Sequence, residues 1–334
     1  MSAPAPSMFS PAAAEMARQL GLTAGRANLD VFADTLTELA RADRNVIAVT
    51  SDSRGSGKLG PFGQALPGQL VEVGIAEQNL VGIAAGLASA GKIVFAVSPA
   101  CFLTARSLEQ IKNDVCYSDQ PVKLIGISAG VSYGALGSTH HSLHDLAVLR
   151  AINNLQIIVP ADNYEAREAI RHAAGAVQPV YVRFGKAAMP DLAPGDDRAF
   201  AAGRAWRLCD GPDLCFIAAG ETVVHARLAA EHLRQSRGLR CRVLSMHTIK
   251  PLDADAVLDA AMACGAIVTV EEHMIHGGLG EACAALLMQA GAGSKPFRIV
   301  GVPDEYTVTG SQADIFHHYG MTMEGLSAAA LKLI

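Results

Sequence analysis

Short apolar, β-branched runs alternate with longer helix-like segments along this chain, and this alternation limits the possible folds more than any other feature. In the first half, the strand-like runs lie at 45–52, 92–98, 122–128, 155–162 and 179–184, and the helix-like segments at 77–90, 103–118, 145–151 and 162–174. The runs are apolar on both faces, which is typical of parallel strands covered by helices on each side. The sequence therefore predicts an open, mostly parallel α/β sheet.

A second α/β unit follows a break in this rhythm. The segment 187–203, "AAMPDLAPGDDRAFAAG", carries Pro, Gly and Asp without apolar periodicity, which predicts a linker. Strand-like runs then return at 213–220, 241–247, 266–273 and 297–304, with helix-like segments at 222–236, 253–263, 279–290, 311–319 and 323–333. Because domains average roughly 100–200 residues, two open α/β domains are expected, the second one smaller.

Composition excludes several classes of protein. Half of the 334 residues are apolar and 18% are charged, which predicts large buried surfaces, including contacts between subunits. The net charge is -5 and the cations form no basic stripe, so nucleic-acid binding is not expected. We find neither a signal-peptide pattern nor a run of ~20 apolar residues that could span a bilayer. Seven cysteines without a CxxC pair predict reduced thiols in a cytoplasmic protein.

Ligands of open α/β sheets bind beyond the carboxyl ends of the strands, so the residues just after each strand are the places to search. One such stretch is "VEVGIAEQNL" at 71–80, where Glu77 opens an apolar helix. An acid in a first helical turn is favoured by the helix dipole alone. Alternatively, Glu77 is a buried carboxylate that shares a proton with a ligand nitrogen. The apolar helix behind Glu77 and Gly74 on its strand side favour burial.

The loop "SYGALGSTHHSLHDLA" at 132–147 contains three histidines and an acid. His140 and His144 are one helical turn apart, which permits a metal site, but no further carboxylate or thiolate stands at ligand spacing. Asp145 could cap the following helix. A histidine in a loop after a strand more often moves protons or binds a substrate oxygen, and a surface position is the plain alternative.

Three further groups have both a structural and a functional interpretation. Phe102 lies between a strand and a helix, where it is either a core residue or part of a site. The Gly-rich stretch 271–281 could bind an anion at a helix start, or zinc through its acid and histidines, although ligands are missing for zinc. Arg183 and Lys186 follow a strand, where two cations could clamp a phosphate or lie on a solvated edge.

Taken together, six segments in this order resemble the carboxyl-terminal half of the transketolase family. They are "VEVGIAEQNLVGIAAGLA", "SPACFLTARSLEQIKNDV", "GSTHHSLHDLAVLR", "IIVPAD", "PVYVRF" and "VEEHMIHGGLGE". The resemblance runs from about residue 26 to the end and includes the separate second subunit of split transketolases and the matching half of 1-deoxyxylulose-5-phosphate synthase. It implies an N-terminal extension at 1–25, a pyrimidine-binding domain at 26–190 and a carboxyl-terminal domain at 200–334.

The family uses thiamine diphosphate to transfer a two-carbon ketol unit from a ketose to an aldose. By resemblance, Glu77 hydrogen-bonds the pyrimidine ring nitrogen remote from the thiazolium, and Phe102 packs on that ring. Asp52 matches an acid of the cofactor region. His140 matches a histidine beside the substrate hydroxyls, a candidate for proton transfer.

The resemblance also implies anion-binding residues and a partner. Arg183 and Arg26 lie where the family has phosphate-binding arginines, and Lys186 is close to Arg183. The family's diphosphate-binding domain carries a GDG…N metal motif, and the nearest string here, "CDGPD" at 209–213, lies in the wrong domain. We therefore expect no metal ligand in this chain, and a partner subunit that holds the diphosphate with Mg²⁺ or Ca²⁺. Two copies of each subunit would form a heterotetramer around a dimer of this chain.

Departures from the family pattern affect the sugar more than the cofactor. Ordinary transketolases have an aspartate at the position of Leu136, a histidine at that of Ser128 and a second aromatic residue at that of Pro99. Because the aspartate reads a sugar hydroxyl, its loss predicts altered sugar recognition.

Three alternatives stay open at this point. A subunit similar to 1-deoxyxylulose-5-phosphate synthase would take pyruvate as its donor. The beta subunit of an oxo-acid dehydrogenase fits less well because its loop differs from "STHHSLHD" at 138–145. A non-catalytic scaffold would need neither Glu77 nor His140.

Overall fold

The computed structural model describes residues 8–192 and 199–334, which contain strands in two sheets. The strands are β1 (Val46–Thr50), β2 (Leu70–Glu72), β3 (Ile93–Pro99), β4 (Lys123–Ile127), β5 (Gln156–Ile158), β6 (Val180–Arg183), β7 (Trp206–Cys209), β8 (Leu214–Ala218), β9 (Cys241–Ser245), β10 (Thr248–Lys250), β11 (Ala266–Met274) and β12 (Phe297–Val302). One sheet has the order β10-β5-β6-β4-β3-β1-β2 and the other β12-β11-β8-β9-β7.

Both sheets are parallel except at one edge each. β10 pairs antiparallel with β5, and β7 pairs antiparallel with β9. The central strands β1 and β4 are buried at every position, as the unbroken apolar runs predict for strands covered on both faces. The predicted fold class, two mostly parallel α/β units, is therefore confirmed.

Helices cover both faces of these sheets. They are α1 (Pro11–Gln19), α2 (Asn28–Ala42), α3 (Gly60–Ala65), α4 (Glu77–Ser89), α5 (Ala100–Arg106), α6 (Leu108–Gln110), α7 (Asp145–Arg150), α8 (Asn163–Gly175), α9 (Thr222–Arg237), α10 (Ala254–Ala263), α11 (Leu279–Gln289), α12 (Gln312–His318) and α13 (Met323–Leu331). Among the described residues, no helix is both long and apolar enough to cross a bilayer.

The single helix predicted at 103–118 is instead three pieces. α5 ends at Arg106, Ser107 leaves the helical conformation, α6 follows, and a π-helical segment spans Ile111–Tyr117. α5 also begins earlier than expected, directly at the end of β3. Phe102 and Arg106 therefore lie one turn apart on a short helix at the carboxyl edge of the sheet.

The first helix, α1, packs against α9 of the second unit. Residues 1–7 of the predicted extension lie outside the described residues. α1 is capped by the Ser10 side chain, and its Met16 side chain lies within 3.6 Å of the Gln235 amide on α9. Of the predicted linker, 193–198 lie outside the described residues, while Met189 and Leu192 before them are buried. The boundaries 26–190 and 200–334 stay predictions.

The strand order explains where a site can form. β4, β3 and β1 are neighbours, so the residues that follow them meet at one edge of the larger sheet. α4 begins beside this edge, and its Leu80 and Val81 are completely buried. Replacing such a leucine by alanine typically costs about 2–5 kcal/mol, so α4 is firmly fixed behind its first residue, Glu77.

Candidate active site

A cleft of about 380 Å³ opens at the carboxyl ends of β1 and β3. It brings together four of the predicted site residues, Glu77, Phe102, Asp52 and His140. The other lining residues are Ser51, Ser53, Ser56, Ile75, Pro99, Arg106, Tyr133 and Leu136. These side chains come from segments almost 90 residues apart in sequence, so the cleft exists only in the folded sheet.

Glu77 is buried, with 4% of its surface exposed, although it opens a helix at the edge of the sheet. The Arg106 guanidinium donates hydrogen bonds from Nη1 to both carboxylate oxygens, at 2.9 and 3.0 Å. The helix dipole and this cation together offset the cost of burying the carboxylate. The burial expected from the sequence is observed, and the arginine is a partner that the sequence motifs did not indicate.

Arg106 also lies over the ring of Phe102, with its guanidinium carbon 4.1 Å from the ring centroid. The contact between Arg106 and Phe102 could have been predicted from the sequence, because residues four apart on a helix are neighbours. The His140 ring packs edge-on against the rings of Phe102 and Tyr133, with distances between ring centroids of 5.4 and 5.6 Å. Thr139 Oγ1 lies 3.0 Å from His140 Nδ1. The imidazole is thus held between two aromatic rings at the wall of the cleft.

Asp52 lies directly after β1 in a left-handed backbone conformation, with φ of 50°. Its N–H donates to Glu72 Oε1 at 2.6 Å, and the Gly74 N–H donates to the same oxygen at 3.1 Å. A non-glycine residue in this conformation costs on the order of 1 kcal/mol or more, and such residues cluster at functional sites. The Glu72 contact fixes the loop, while the Asp52 side chain remains exposed at the cleft.

Arg183, a predicted phosphate-binding residue, is buried and is not among the residues that line the cleft. It is 6% exposed, and its Nε donates to Asp145 Oδ2 at 2.8 Å. Its Nη2 donates to the carbonyl oxygens of Ser142 and Glu272 at 3.0 and 2.8 Å. With Nε and Nη2 engaged in the interior, Arg183 joins the histidine-containing loop to the second sheet.

Asp145 is the centre of this buried network rather than a simple helix cap. Tyr181 Oη donates to Asp145 Oδ2 at 2.7 Å, beside the bond from Arg183. Burial opposes the charge of Asp145, but the nearby Arg183 and His273 outweigh it and keep the carboxyl pKa below its ordinary value. Asp145 therefore stays ionised to anchor Arg183.

The other two predicted cations have different positions. Lys186 Nζ lies 4.7 Å from the Tyr133 ring centroid, so Lys186 is adjacent to the cleft through Tyr133 without lining it. Burial, followed by repulsion from Lys58, lowers the Lys186 pKa. Arg26 pairs with Asp34 at 2.8 Å on the surface, where 59% of each side chain is exposed. Arg26 is not among the residues that line the cleft.

The remaining histidines of the loop serve other contacts. His141 is buried, with Nδ1 2.6 Å from Thr307 Oγ1 and Nε2 3.0 Å from the Gly134 carbonyl oxygen. His144 Nε2 lies 3.3 Å from Thr104 Oγ1. A separate cavity of about 470 Å³ is lined by His141, His144 and the segment 302–307, but Glu77 and Phe102 are not part of it. His141 thus ties the loop to the segment that follows β12, while His140 lines the cleft.

Backbone donors of the Gly-rich turn before α11 are already engaged by a carboxylate. The N–H groups of Leu279 and Gly280 donate to the Glu271 carboxylate at 2.7 and 2.8 Å. Within the described part of the chain, no three His, Cys, Asp or Glu side chains converge as a metal site would require. Both alternatives for this stretch, anion and zinc, are therefore unsupported.

A buried pair of acids lies between the two units. Gln312 Nε2 donates to Glu221 Oε2 at 2.7 Å and to Glu272 Oε1 at 2.9 Å. Burial, reinforced by the neighbouring Glu272, raises the pKa of Glu221 to about 8. Burial also raises the pKa of Glu272 to about 7, although Arg183 opposes this shift. At neutral pH Glu221 therefore retains a proton that the same side chain would release in an unfolded chain.

This pair predicts that the chain loses stability as the pH rises. An acid with a raised pKa stabilises the fold fully below its unfolded pKa, near 4.5, and this contribution is lost as the pH rises through about 8. We expect Glu221→Gln to flatten the fall of the melting temperature between pH 5 and pH 9, by about 5 °C at the alkaline end. Thermal unfolding across this pH range measures it. Glu38→Gln, an exposed acid on α2, is the control. Parallel curves for Glu221→Gln and the unaltered chain would contradict the assignment.

Both units of the chain match known protein families. Residues 25–191 match the family model for the transketolase pyrimidine binding domain, and residues 203–326 match that for the transketolase C-terminal domain. An apulose-4-phosphate transketolase subunit from Phocaeicola vulgatus is 51% identical over 91% of this chain and 96% of its own length. The 1-deoxy-D-xylulose-5-phosphate synthase of Thermomicrobium roseum is 36% identical over 91% of this chain but only 48% of its own length.

A solved structure shares both the fold and the length of this chain. It is a split gene transketolase described as an inactive beta4 tetramer, with 35% sequence identity and a TM-score of 0.82. The alignment covers 92% of this chain and 98% of that one. The resemblance expected from the sequence motifs is therefore confirmed at the level of sequence and of fold.

Proposed function

The chain belongs to the transketolase family, and on that premise we propose that it is the polypeptide of a split transketolase that supplies the pyrimidine-binding half of a thiamine diphosphate site. The observation that carries the proposal is the cleft in which a buried acid, Glu77, meets an aromatic ring, Phe102. An aminopyrimidine ring requires these two features, a desolvated carboxylate and an apolar face.

The residues of the cleft fit thiamine diphosphate at its pyrimidine end. Glu77 would hold a proton at the pyrimidine nitrogen, and Phe102 would pack on the ring. When bound, the cofactor supplies the electron sink for two-carbon transfer, while the protein positions it and moves protons. His140, fixed by Phe102 and Tyr133, would exchange protons with substrate hydroxyls. Asp52 would stand at the cofactor side of the cleft.

A second polypeptide would complete the site. The relative from Phocaeicola vulgatus is itself named as one subunit of a transketolase, and this chain covers nearly its whole length. We assign the diphosphate and its Mg²⁺ or Ca²⁺ to a partner that carries the GDG motif. Ile75 and Leu136, 75% and 55% exposed at the cleft, offer apolar surface for a second chain or a substrate. The expected assembly is a heterotetramer built on a dimer of this chain. The free thiols of all seven cysteines support a cytoplasmic location.

The substrate proposed for this chain is a phosphorylated ketose, and apulose 4-phosphate is the first candidate because of the 51% identical relative. Because Arg183 is buried, Lys186, which lies beside Tyr133, is better placed than Arg183 to bind the substrate phosphate. Leu136 presents an apolar side chain to the cleft, where ordinary transketolases are expected to present an acid. The site therefore lacks one acceptor for a sugar hydroxyl, which favours a ketose that does not need it.

Leu136→Asp should shift the preference of the complex towards pentose phosphates such as xylulose 5-phosphate. We expect the ratio of kcat/KM for xylulose 5-phosphate to that for apulose 4-phosphate to rise roughly tenfold, because a hydrogen bond to a charged group contributes about 1.5–3 kcal/mol. Activity of the complex with its partner, measured with each donor and glyceraldehyde 3-phosphate as acceptor, tests this. Leu136→Met keeps the volume without an acceptor and should leave the ratio unchanged.

The same assay tests the proposed activity. The unaltered complex should transfer two carbons from a ketose phosphate and release no CO₂ from pyruvate. CO₂ release from pyruvate, with no ketose turnover, would favour a 1-deoxyxylulose-5-phosphate synthase type of reaction. A ratio that Leu136→Asp does not change would remove Leu136 from sugar recognition.

A further inference from the structure

Arg106 engages both of the groups on which pyrimidine binding would depend. Its Nη1 donates to both oxygens of the Glu77 carboxylate, and its guanidinium carbon lies 4.1 Å from the Phe102 ring centroid. In the part of the chain that the structure describes, Arg106 is the side chain that hydrogen-bonds the Glu77 carboxylate. A planar cation therefore lies on the aromatic face and on the acid at the same time.

We propose that Arg106 is a displaceable placeholder, which binds Glu77 and covers Phe102 until the pyrimidine ring of the cofactor takes over both contacts. This inference rests on the proposed function, because it assumes that a pyrimidine ring binds Glu77 and Phe102. A carboxylate engaged at both oxygens by a guanidinium has to exchange that partner for a ring nitrogen. The Arg106 guanidinium and the pyrimidine ring of the cofactor then compete for the Glu77 carboxylate.

The local structure allows Arg106 to move. It is the last residue of α5, Ser107 after it is no longer helical, and 45% of the Arg106 side chain is exposed against 4% for Glu77. A half-exposed ion pair is weak because solvent screens it, and a cation–π contact at an exposed site adds little. The placeholder therefore shields the acid and yet is easily displaced. A fully buried partner, such as Arg183 for Asp145, could not leave in this way.

Arg106→Met tests the competition, because it keeps most of the side-chain length and removes the charge. We expect the complex of this chain with its partner to bind thiamine diphosphate roughly three- to tenfold more tightly, since no ion pair has to break. Isothermal titration calorimetry with thiamine diphosphate in excess Mg²⁺ gives the Kd without relying on turnover. The difference in Kd between the Arg106→Met complex and the unaltered complex should become smaller as NaCl is raised from about 0.05 to 0.5 M, because salt screens the half-exposed ion pair.

Two further variants separate the possible outcomes. Arg106→Lys keeps the charge without the planar group, so its Kd should lie between those of the unaltered complex and the Arg106→Met complex. This variant still tests the proposal if Arg106→Met folds poorly. Arg171→Met removes a comparably exposed arginine that pairs with Glu168 on α8 and should leave the Kd unchanged. Unchanged or weaker binding by Arg106→Met would overturn the placeholder role alone. A wild-type complex that binds no thiamine diphosphate would instead overturn the proposed function.

Discussion

Glu77→Gln should lower kcat of the complex with its partner by at least about 100-fold, because a positioned acid that moves a proton contributes roughly 100- to 10,000-fold. Glutamine has nearly the same shape but cannot ionise or carry the proton. In this chain the substitution also removes the anion that Arg106 binds. The measurement is kcat with saturating ketose phosphate, aldose phosphate and thiamine diphosphate.

Controls for Glu77 distinguish chemistry from folding. Glu77→Asp keeps the charge but moves the carboxylate away from the cofactor by about one methylene. It should be more active than Glu77→Gln and less active than the wild type. Glu109→Gln changes an exposed acid in the first turn of the neighbouring α6 and should have wild-type activity. Activity of Glu77→Gln within threefold of the wild type, with intact secondary structure, would exclude Glu77 from the chemistry.

The fold is largely predictable because its signal is local. Unbroken apolar runs mark buried strands such as β1 and β4, whatever the rest of the chain does. β10 cannot be found in this way, because it has three residues and pairs antiparallel with β5 of the other unit. β7 is a half-buried edge strand, which weakens its apolar pattern. α2 is absent from the predicted helices, although its eight buried residues pack it against the first sheet.

Site residues can be predicted from the sequence where they lie in recognisable motifs. They cannot be predicted where contacts with residues distant in sequence determine which way a side chain faces. Glu77 and Phe102 lie in quoted motifs, and the fold brings them to one cleft. Arg183 stays a predicted phosphate-binding residue, but its burial could not be foreseen, because a cation after a strand looks the same in sequence whether it faces solvent or the interior. Its partners Asp145 and Glu272 are 38 and 89 residues away. Such distances leave no local pattern.

We infer that this chain holds only the pyrimidine end of the cofactor site, and the proposed partner and assembly depend on this. Its sequence contains a buried acid and an aromatic ring in a cleft but no GDG motif for the diphosphate and metal. The similar solved chain is described as an inactive beta4 tetramer. We therefore expect two-carbon transfer to require both polypeptides, an all-or-none effect larger than that of any single substitution.

Reconstitution measures this most directly. This chain, a diphosphate-binding partner and their mixture would each be titrated with thiamine diphosphate and Mg²⁺ in a calorimeter, then assayed with apulose 4-phosphate or xylulose 5-phosphate and glyceraldehyde 3-phosphate. We expect no activity for either chain alone, and in the mixture one bound thiamine diphosphate per copy of this chain together with ketol transfer. Tight cofactor binding and turnover by this chain alone, or a mixture that binds no cofactor, would contradict it.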